Sequence, residues 1–569
     1  MYRPVLDAVG GSLTVTAILA MSPVLALFIM LGVLKITAWK AALVSLVISL
    51  AVAIFAYSMP VGQALMATTE GAAFGFFPIL FIVLNAIWIY NMTVVTGHSD
   101  VLRRSFAKIS DDQRIQAVIV AFCFGGLLEA LAGFGTPVAI TSVMLMGLGF
   151  RPIKAAVVAL LANTAPVAFG ALAVPITTLA TVSGLPEQEL ASIVGRQTPL
   201  LALFIPMALV LVIDGWRGVR QTLPATLACG ITFAIAQFVC SNFVSPQLTD
   251  IVASLLGAAA VVMVSRVWHP ALPYVETPEV IEVASTGVHA SGAVGAGSGS
   301  GSTGRSTGLA AEFAARDKGH HDSTGEVVKA YAPYIIIVVV FSLAALITPL
   351  KDFLASTTVK FQWPGLDLQS ASGKPSKLPT FTFNWLASGG TLLLFSGLLS
   401  IPVLGISAAR ASRAYTGTWV QLKWAIVTVM AVLGLAYVMN ASGQTTTLGI
   451  WMAGAGTVFA LISPILGWLG VAVTGSDTSS NALFGALQVS AANKAGLSPA
   501  LMAAANSSGG VLGKMVSPQN LAIAAAAVGM SGKEGDIFRK VITWSLGLLV
   551  LMCLIVFLQS TPVLSWMLP

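Results

Sequence analysis

Residues 127–141 read LLEALAGFGTPVAIT, and residues 160–178 read LLANTAPVAFGALAVPITT. Both stretches are apolar enough for a membrane interior, yet Gly, Asn, Thr and Pro interrupt them where a plain spanning helix would carry Leu and Val. The pattern returns downstream, as LGVAVTGSDTSSNALF at 469–484 and AAANSSGGVLGKMVSPQNL at 503–521. Gly133 and Thr136 match Gly475 and Thr478. After one extra residue in the second copy, Asn163, Gly170 and Pro175 match Asn506, Gly513 and Pro518. Spacing kept in this way, in two halves of similar layout, reads as an internal duplication.

The surrounding chain sets the environment of these segments. Of 569 residues, 56% are hydrophobic and 9% charged, where a soluble domain carries about 25% charged residues. Mean hydropathy is +0.89. Backbone groups in lipid must be paired internally, which leaves helices or closed barrels. Long runs rich in Leu, Ala, Ile, Val and Gly select helices. Spans are expected near 12–34, 41–58, 74–96, 197–214, 223–242, 250–266, 331–350, 384–405, 419–440 and 541–566. Each interrupted region adds one net crossing and a re-entrant hairpin. The expected fold is therefore an all-α polytopic membrane protein with about twelve crossings and two re-entrant hairpins.

The same composition removes other classes. The net charge of +7 is a modest excess that basic residues beside the membrane supply, so no nucleic-acid partner is implied. Cys123, Cys229, Cys240 and Cys553 lie in apolar runs without metal-like spacing and read as small core residues. No HExxH, P-loop or Ser/His constellation is present, so neither an enzyme nor an ATP-driven pump is expected, and no metal or cofactor. The first apolar run starts too late and continues too far for a cleavable signal.

From Ser285 to Glu326 the chain is Gly/Ser-rich and cannot bury a core. It is expected to be a flexible cytoplasmic linker between an N-terminal half, 1–284, and a C-terminal half, 327–569. Its pair His320-His321 reads as solvated loop histidines. Lys35, Lys40, Arg103, Arg104, Lys108, Arg114, Arg217, Arg220, Arg410 and Arg413 mark cytoplasmic loops by the excess of Lys and Arg on that side. Arg3 and the 351–377 loop are exceptions, and both termini fall outside. On this orientation the span 74–96 runs inward, whereas its counterpart 419–440 runs outward, so the copies have inverted topology. Inverted repeats with broken helices mark secondary transporters. The first copy has a hairpin at 115–150 and a helix 152–183 broken at NTAP (163–166). The second has a hairpin at 449–493 and a helix 497–530 broken at NSSGG (506–510).

Unwound backbone at membrane depth is tolerated where it lines a cavity, and a helix that restarts there offers free N–H groups and a positive dipole end to an anion. The first tip contributes Gly133, Phe134, Gly135 and Thr136 as candidate substrate ligands, and the first break contributes Asn163 and Thr164. Ser476 and Thr478 come from the second tip, and Asn506, Ser507, Ser508, Gly509 and Lys514 from the second broken helix. Close helix packing by small residues is the competing reading for Gly, Ser and Thr. Charges in a membrane are expensive and functional by default. Glu129, one turn before Gly133, is expected to carry the coupling proton. Asp477 is either a second proton or ion site or the N-cap of the second hairpin limb. Lys514 pairs with a substrate carboxylate, pairs with one of these acids, or snorkels to the surface. Glu70 and Asp214 read as interfacial residues.

The stretches GAAFGFFPILFIVLNAIWIYNMTVVTGHSD (71–100), EALAGFGTPVAI (129–140), LLANTAPVAFGAL (160–172), GSDTSSNALFGALQ (475–488) and NSSGGVLGKMVSPQNLAIA (506–524) resemble the bacterial L-lactate permease family over nearly the whole chain. The resemblance implies a multi-pass protein of the bacterial cytoplasmic membrane that takes up lactate, and often glycolate, by proton symport, driven by the proton gradient without a cofactor. It also implies kinship with ion transporters built from two inverted repeats, in which elevator-type movement is known. A homodimer is compatible with this class, and a sodium-coupled carboxylate symporter is the alternative.

Overall fold

The computed structural model describes the chain except residues 1, 35, 108–109, 132, 134, 275, 277–321, 370–372, 374, 377 and 531–532. The expected linker therefore lies outside the described residues up to 321, and so do His320 and His321. At its far end the helix Thr324–Leu346 has already begun, with Ser323 and Glu326 forming a reciprocal capping box. That local capping takes residues 324–326 out of the linker.

Among the described residues the fold is helical apart from one antiparallel ribbon, Val359–Gln362 with Thr380–Phe383. Ten helices among the described residues are long and apolar enough to cross a membrane, eleven if the bent pair Pro152–Ala162 and Val167–Ser183 counts as one. Several run past the apolar stretch that announces them. The segment read as 74–96 is continuous with Val61–Phe74 through a turn at Gly75–Leu80, and Ala408–Ser442 extends the segment read as 419–440 by three turns. The segments read as 197–214 and 223–242 fall in Glu187–Ala202 and the 35-residue helix Ile205–Val239, which bends at Gly215. Polar residues extend a helix when a cap satisfies its end, as the Ser407 side chain does for Arg410 N.

Burial divides the helices into two kinds. Leu13–Leu31 is 39% buried, which leaves an apolar face for lipid, whereas Gln113–Leu131 is 94% buried and wrapped by protein. The outer scaffold packs Ala408–Ser442 against Val61–Phe74 and Ala38–Ala51. Close approach at Gly71, where a Cβ would stand 2.5 Å from the Leu433 carbonyl, makes this contact. Glu70 lies inside it and is buried, not interfacial, because the helix begins nine residues earlier and carries it inward.

Two helical hairpins occupy the interior. The first pairs Gln113–Leu131 with Thr136–Gly147. The second pairs Phe459–Thr474 with Asp477–Ala495. Residues 449–458, expected in the second hairpin, instead belong to the helix Gln444–Met452 and a 3-10 turn, Ala453–Val458. Packing between the hairpins and the interrupted helices is reciprocal: the second limb of the second hairpin lies on Gly170–Ser183, and Pro518–Ala527 lies on the second limb of the first.

The first interrupted helix breaks where expected, between Pro152–Ala162 and Gly170–Ser183, with a 64° bend. The second does not break at NSSGG. Pro499–Gly513 is continuous through residues 506–510, and the interruption falls at Lys514–Val516 and Ser517. NSSGG stays helical because its small side chains allow backbone contact with the hairpin limb: a Cβ on Gly509 would overlap the Pro464 carbonyl, and one on Gly467 the Asn506 carbonyl.

Candidate functional site

Both hairpin tips and both interruptions meet at one small cavity of about 50 Å³. Glu129 and Gly133 line it from the first hairpin, Val167, Gly170, Ala171, Val174 and Pro175 from the first interruption. Gly475, Ser476, Asp477 and Thr478 line it from the second tip, with Lys514 and Gln519 from the second interruption. The helices Gly170–Ser183 and Asp477–Ala495 both start here. Asp477–Ala495 begins at the cavity wall, and the right-handed part of the other helix begins there at Val174; a helix start carries unpaired N–H groups and a positive dipole end, which favour an anion.

The charged centre is an ion pair. Lys514 Nζ donates to Glu129 Oε1 at 2.5 Å, both side chains being almost fully buried. Asn163 Nδ2 donates to Glu129 Oε2 at 2.9 Å. Lys514 thus pairs with an acid and does not snorkel. Gly170 lets the interrupted helix close on this carboxylate, since a Cβ there would lie 2.8 Å from Glu129 Oε1. Immediately after it, Ala171, Leu172 and Ala173 have φ of +45°, +56° and +60°. Three L-residues in a left-handed turn cost about 1–2 kcal/mol each, a strain held at the cavity wall.

Asp477 is the second acid. Ser476 caps its helix through Ser479 N, so Asp477 is the first helical residue and its carboxyl is not the N-cap. Ser507 Oγ donates to its Oδ2 at 2.5 Å and Asn481 Nδ2 at 3.3 Å, while Oδ1 has no partner among the described residues. Gly475, with φ +75°, ends the preceding limb in the left-handed conformation that allows this tight tip.

Several expected ligands stand one step behind the cavity. Asn506 donates to Asn481 Oδ1 at 2.9 Å and accepts from Gln488 Nε2 at 3.2 Å. Asn481 Nδ2 donates in turn to the Pro175 carbonyl at 3.1 Å, fastening the second hairpin to the first interrupted helix. Ser507 holds Asp477, and Gly509 is a packing residue. Asn506, Ser508 and Gly509 do not line the cavity; continuous helix turns them toward neighbouring helices. Asn163 reaches the site through Glu129. Thr164 donates to the Leu160 carbonyl at 3.5 Å, and Gly135 packs beside Ile523 and Asn520. Phe134 and the side chain of Thr136 lie outside the described residues. Gln519 was not singled out from sequence; its signal is its place after the SP pair that restarts the helix at Pro518.

A polar clasp holds the ends of the first hairpin. Arg114, expected in an exposed basic loop, is fully buried and pairs with Asp112 at 2.7 Å and Asp214 at 2.8 Å. Its Nη1 also donates to Gln221 Oε1 at 2.7 Å. Asp214 is thus a partner of this arginine, and Gln113 Nε2 donates to the Leu148 carbonyl at 2.6 Å, closing the hairpin base.

A multi-pass helical protein in which Glu129, Asp477 and Lys514 meet at one cavity between two helical hairpins and two interrupted helices is a membrane transport protein. Residues 16–563 match the L-lactate permease family, to which the chain belongs; it is a multi-pass protein of the bacterial inner membrane. It is 39% identical to an L-lactate permease of Bacillus subtilis (strain 168), over 100% of this chain and 99% of that one. It is also 39% identical to the glycolate permease GlcA of Escherichia coli (strain K12), over 98% and 97%. Among solved structures, MtrF of Neisseria gonorrhoeae aligns over 94% of this chain and 96% of that one, at 11% identity and a TM-score of 0.47.

Proposed function

We propose that the protein takes up L-lactate and related short 2-hydroxymonocarboxylates, glycolate and D-lactate among them, by proton symport. One observation carries the coupling: among the described residues, the only lysine lining the cavity is held by Glu129. An entering carboxylate competes for Lys514, and two helix N-termini help to hold it. Glu129 then loses its counterion in a buried site, where an uncompensated charge costs several kcal/mol. Taking up a proton removes that cost. Substrate anion and proton are thereby bound together, and the loaded site carries no more net charge than the empty one. Moving lactate alone against an inside-negative potential costs about 2.3 kcal/mol per 100 mV, and the accompanying proton cancels it.

The test is uptake by proteoliposomes under imposed proton gradients, with competing 2-hydroxy acids and with sodium replaced by choline. Gradient-driven lactate accumulation that persists in choline and is competed by glycolate supports the reading. Accumulation that requires sodium overturns the coupling, and single-channel currents without accumulation overturn the carrier.

A further inference from the structure

A third buried acid lies behind the cavity without lining it. Asp250, in the first turn of the helix Thr249–Val267, is fully buried. Its Oδ1 accepts from Gln237 Nε2 at 2.9 Å, and its Oδ2 has no partner among the described residues. The same Gln237 nitrogen reaches the Ala165 carbonyl at 3.3 Å, inside the first interruption. That interruption is therefore held from two sides: Asn163 joins it to Glu129, and Gln237 joins it to Asp250.

The helix of Asp250 also packs on the limb that carries Glu129. One turn beyond Asp250, Ser254 Oγ has no hydrogen-bond partner among the described residues, and a Cβ on Gly126 would stand 2.6 Å from it. Two titratable groups interact with Asp250: Glu129 from this limb, and the Cys240 thiol from the turn Cys240–Val244. The other neighbouring helix, Ile205–Val239, presents the neutral Gln237, and no Lys, Arg or His forms an ion pair with Asp250 among the described residues.

Charge counting then limits what the pair can do. Glu129 has Lys514 as its counterion, whereas Asp250 has no cation paired with it among the described residues, so ionising Asp250 beside an ionised Glu129 leaves an unpaired charge in a medium of low dielectric. We propose that Asp250 is a proton relay behind Glu129: it holds the proton while Glu129 is paired with Lys514, and passes it to the Glu129 carboxylate when substrate takes the lysine. The step conserves charge, Asp250 becoming the carboxylate as Glu129 becomes the acid. Its reloading from bulk water resets the cycle. This inference rests on Glu129 being the coupling group.

The test uses the full chain in proteoliposomes and compares lactate exchange with net uptake across a range of external pH. Asp250→Asn keeps an oxygen for Gln237 and should lower proton-driven net uptake by about tenfold or more, with exchange within about twofold of the parent. Wild-type net uptake and pH profile in this variant overturn the relay, as does an equal loss of both activities. Should Asp250→Asn fail to insert, Asp250→Glu retains an acid and must carry out net uptake with a displaced pH profile; an unchanged profile overturns the proposal. Glu129→Gln is run alongside. If it keeps proton-driven uptake, the coupling reading itself fails, whereas an inert Asp250→Asn beside an uncoupled Glu129→Gln removes the relay alone.

Discussion

Lys514 Nζ and Glu129 Oε1 stand 2.5 Å apart, joining the second interrupted helix to the first hairpin across 385 residues of chain. Removing one partner strands the other, and breaking a buried pair in this way costs about 3–5 kcal/mol. Lys514→Gln should therefore lower the melting temperature of the detergent-solubilised protein strongly. Combined with Glu129→Gln, it should cost less than the sum of the single changes. Strict additivity in this double-mutant cycle would show that the two groups do not interact.

Glu129→Gln alone should abolish accumulation driven by a proton gradient while leaving exchange of labelled for unlabelled lactate measurable. The amide keeps an oxygen for Lys514 but cannot cycle a proton. Concentrative uptake by this variant would exclude Glu129 as the coupling group.

Gly170→Ala places a methyl group 2.8 Å from Glu129 Oε1 and 3.4 Å from the Glu129 carbonyl oxygen. Overpacking of this size costs about 1–3 kcal/mol. The expected result is normal membrane abundance with lactate uptake reduced by about tenfold, since a shift of about 1.4 kcal/mol suffices for that. Parental uptake kinetics would mean that the wall yields freely and that Gly170 does not shape the site.

Ala171→Gly should stabilise the protein, because glycine adopts φ of +45° without the cost of about 1–2 kcal/mol borne by an L-residue. Thermal unfolding measures the gain. A lower melting temperature would show that the Ala171 methyl group contributes more by packing than its backbone loses by strain.

Arg114→Gln removes the guanidinium that Asp112 and Asp214 share. Two carboxylates left facing each other in the clasp should cost about 3–5 kcal/mol and loosen the base of the first hairpin. Limited proteolysis near 112–114 reads this directly, and parental resistance there would show that the clasp does not hold the hairpin closed.

Sequence by itself determined the membrane class, the interrupted segments and the few charges worth testing, because composition and local spacing are properties of the chain read in order. The hairpin tips at 133–136 and 475–478, and the break after Asn163, were legible in this way. Tertiary structure decided which of these residues meet. The break at Lys514 was hidden because NSSGG resembles a break in composition, yet it stays helical through close backbone contact of Gly509 with Pro464. Glu70 and Arg114 looked like surface residues and are buried, since their helices carry them inward against partners distant in sequence. Asp250 gave no signal at all: an acid at a helix start is ordinary, and only packing against Gln237 and the first hairpin removes it from water. The Glu129–Lys514 pair is decided at the same level, because nothing in a one-dimensional pattern specifies a contact between helices 385 residues apart.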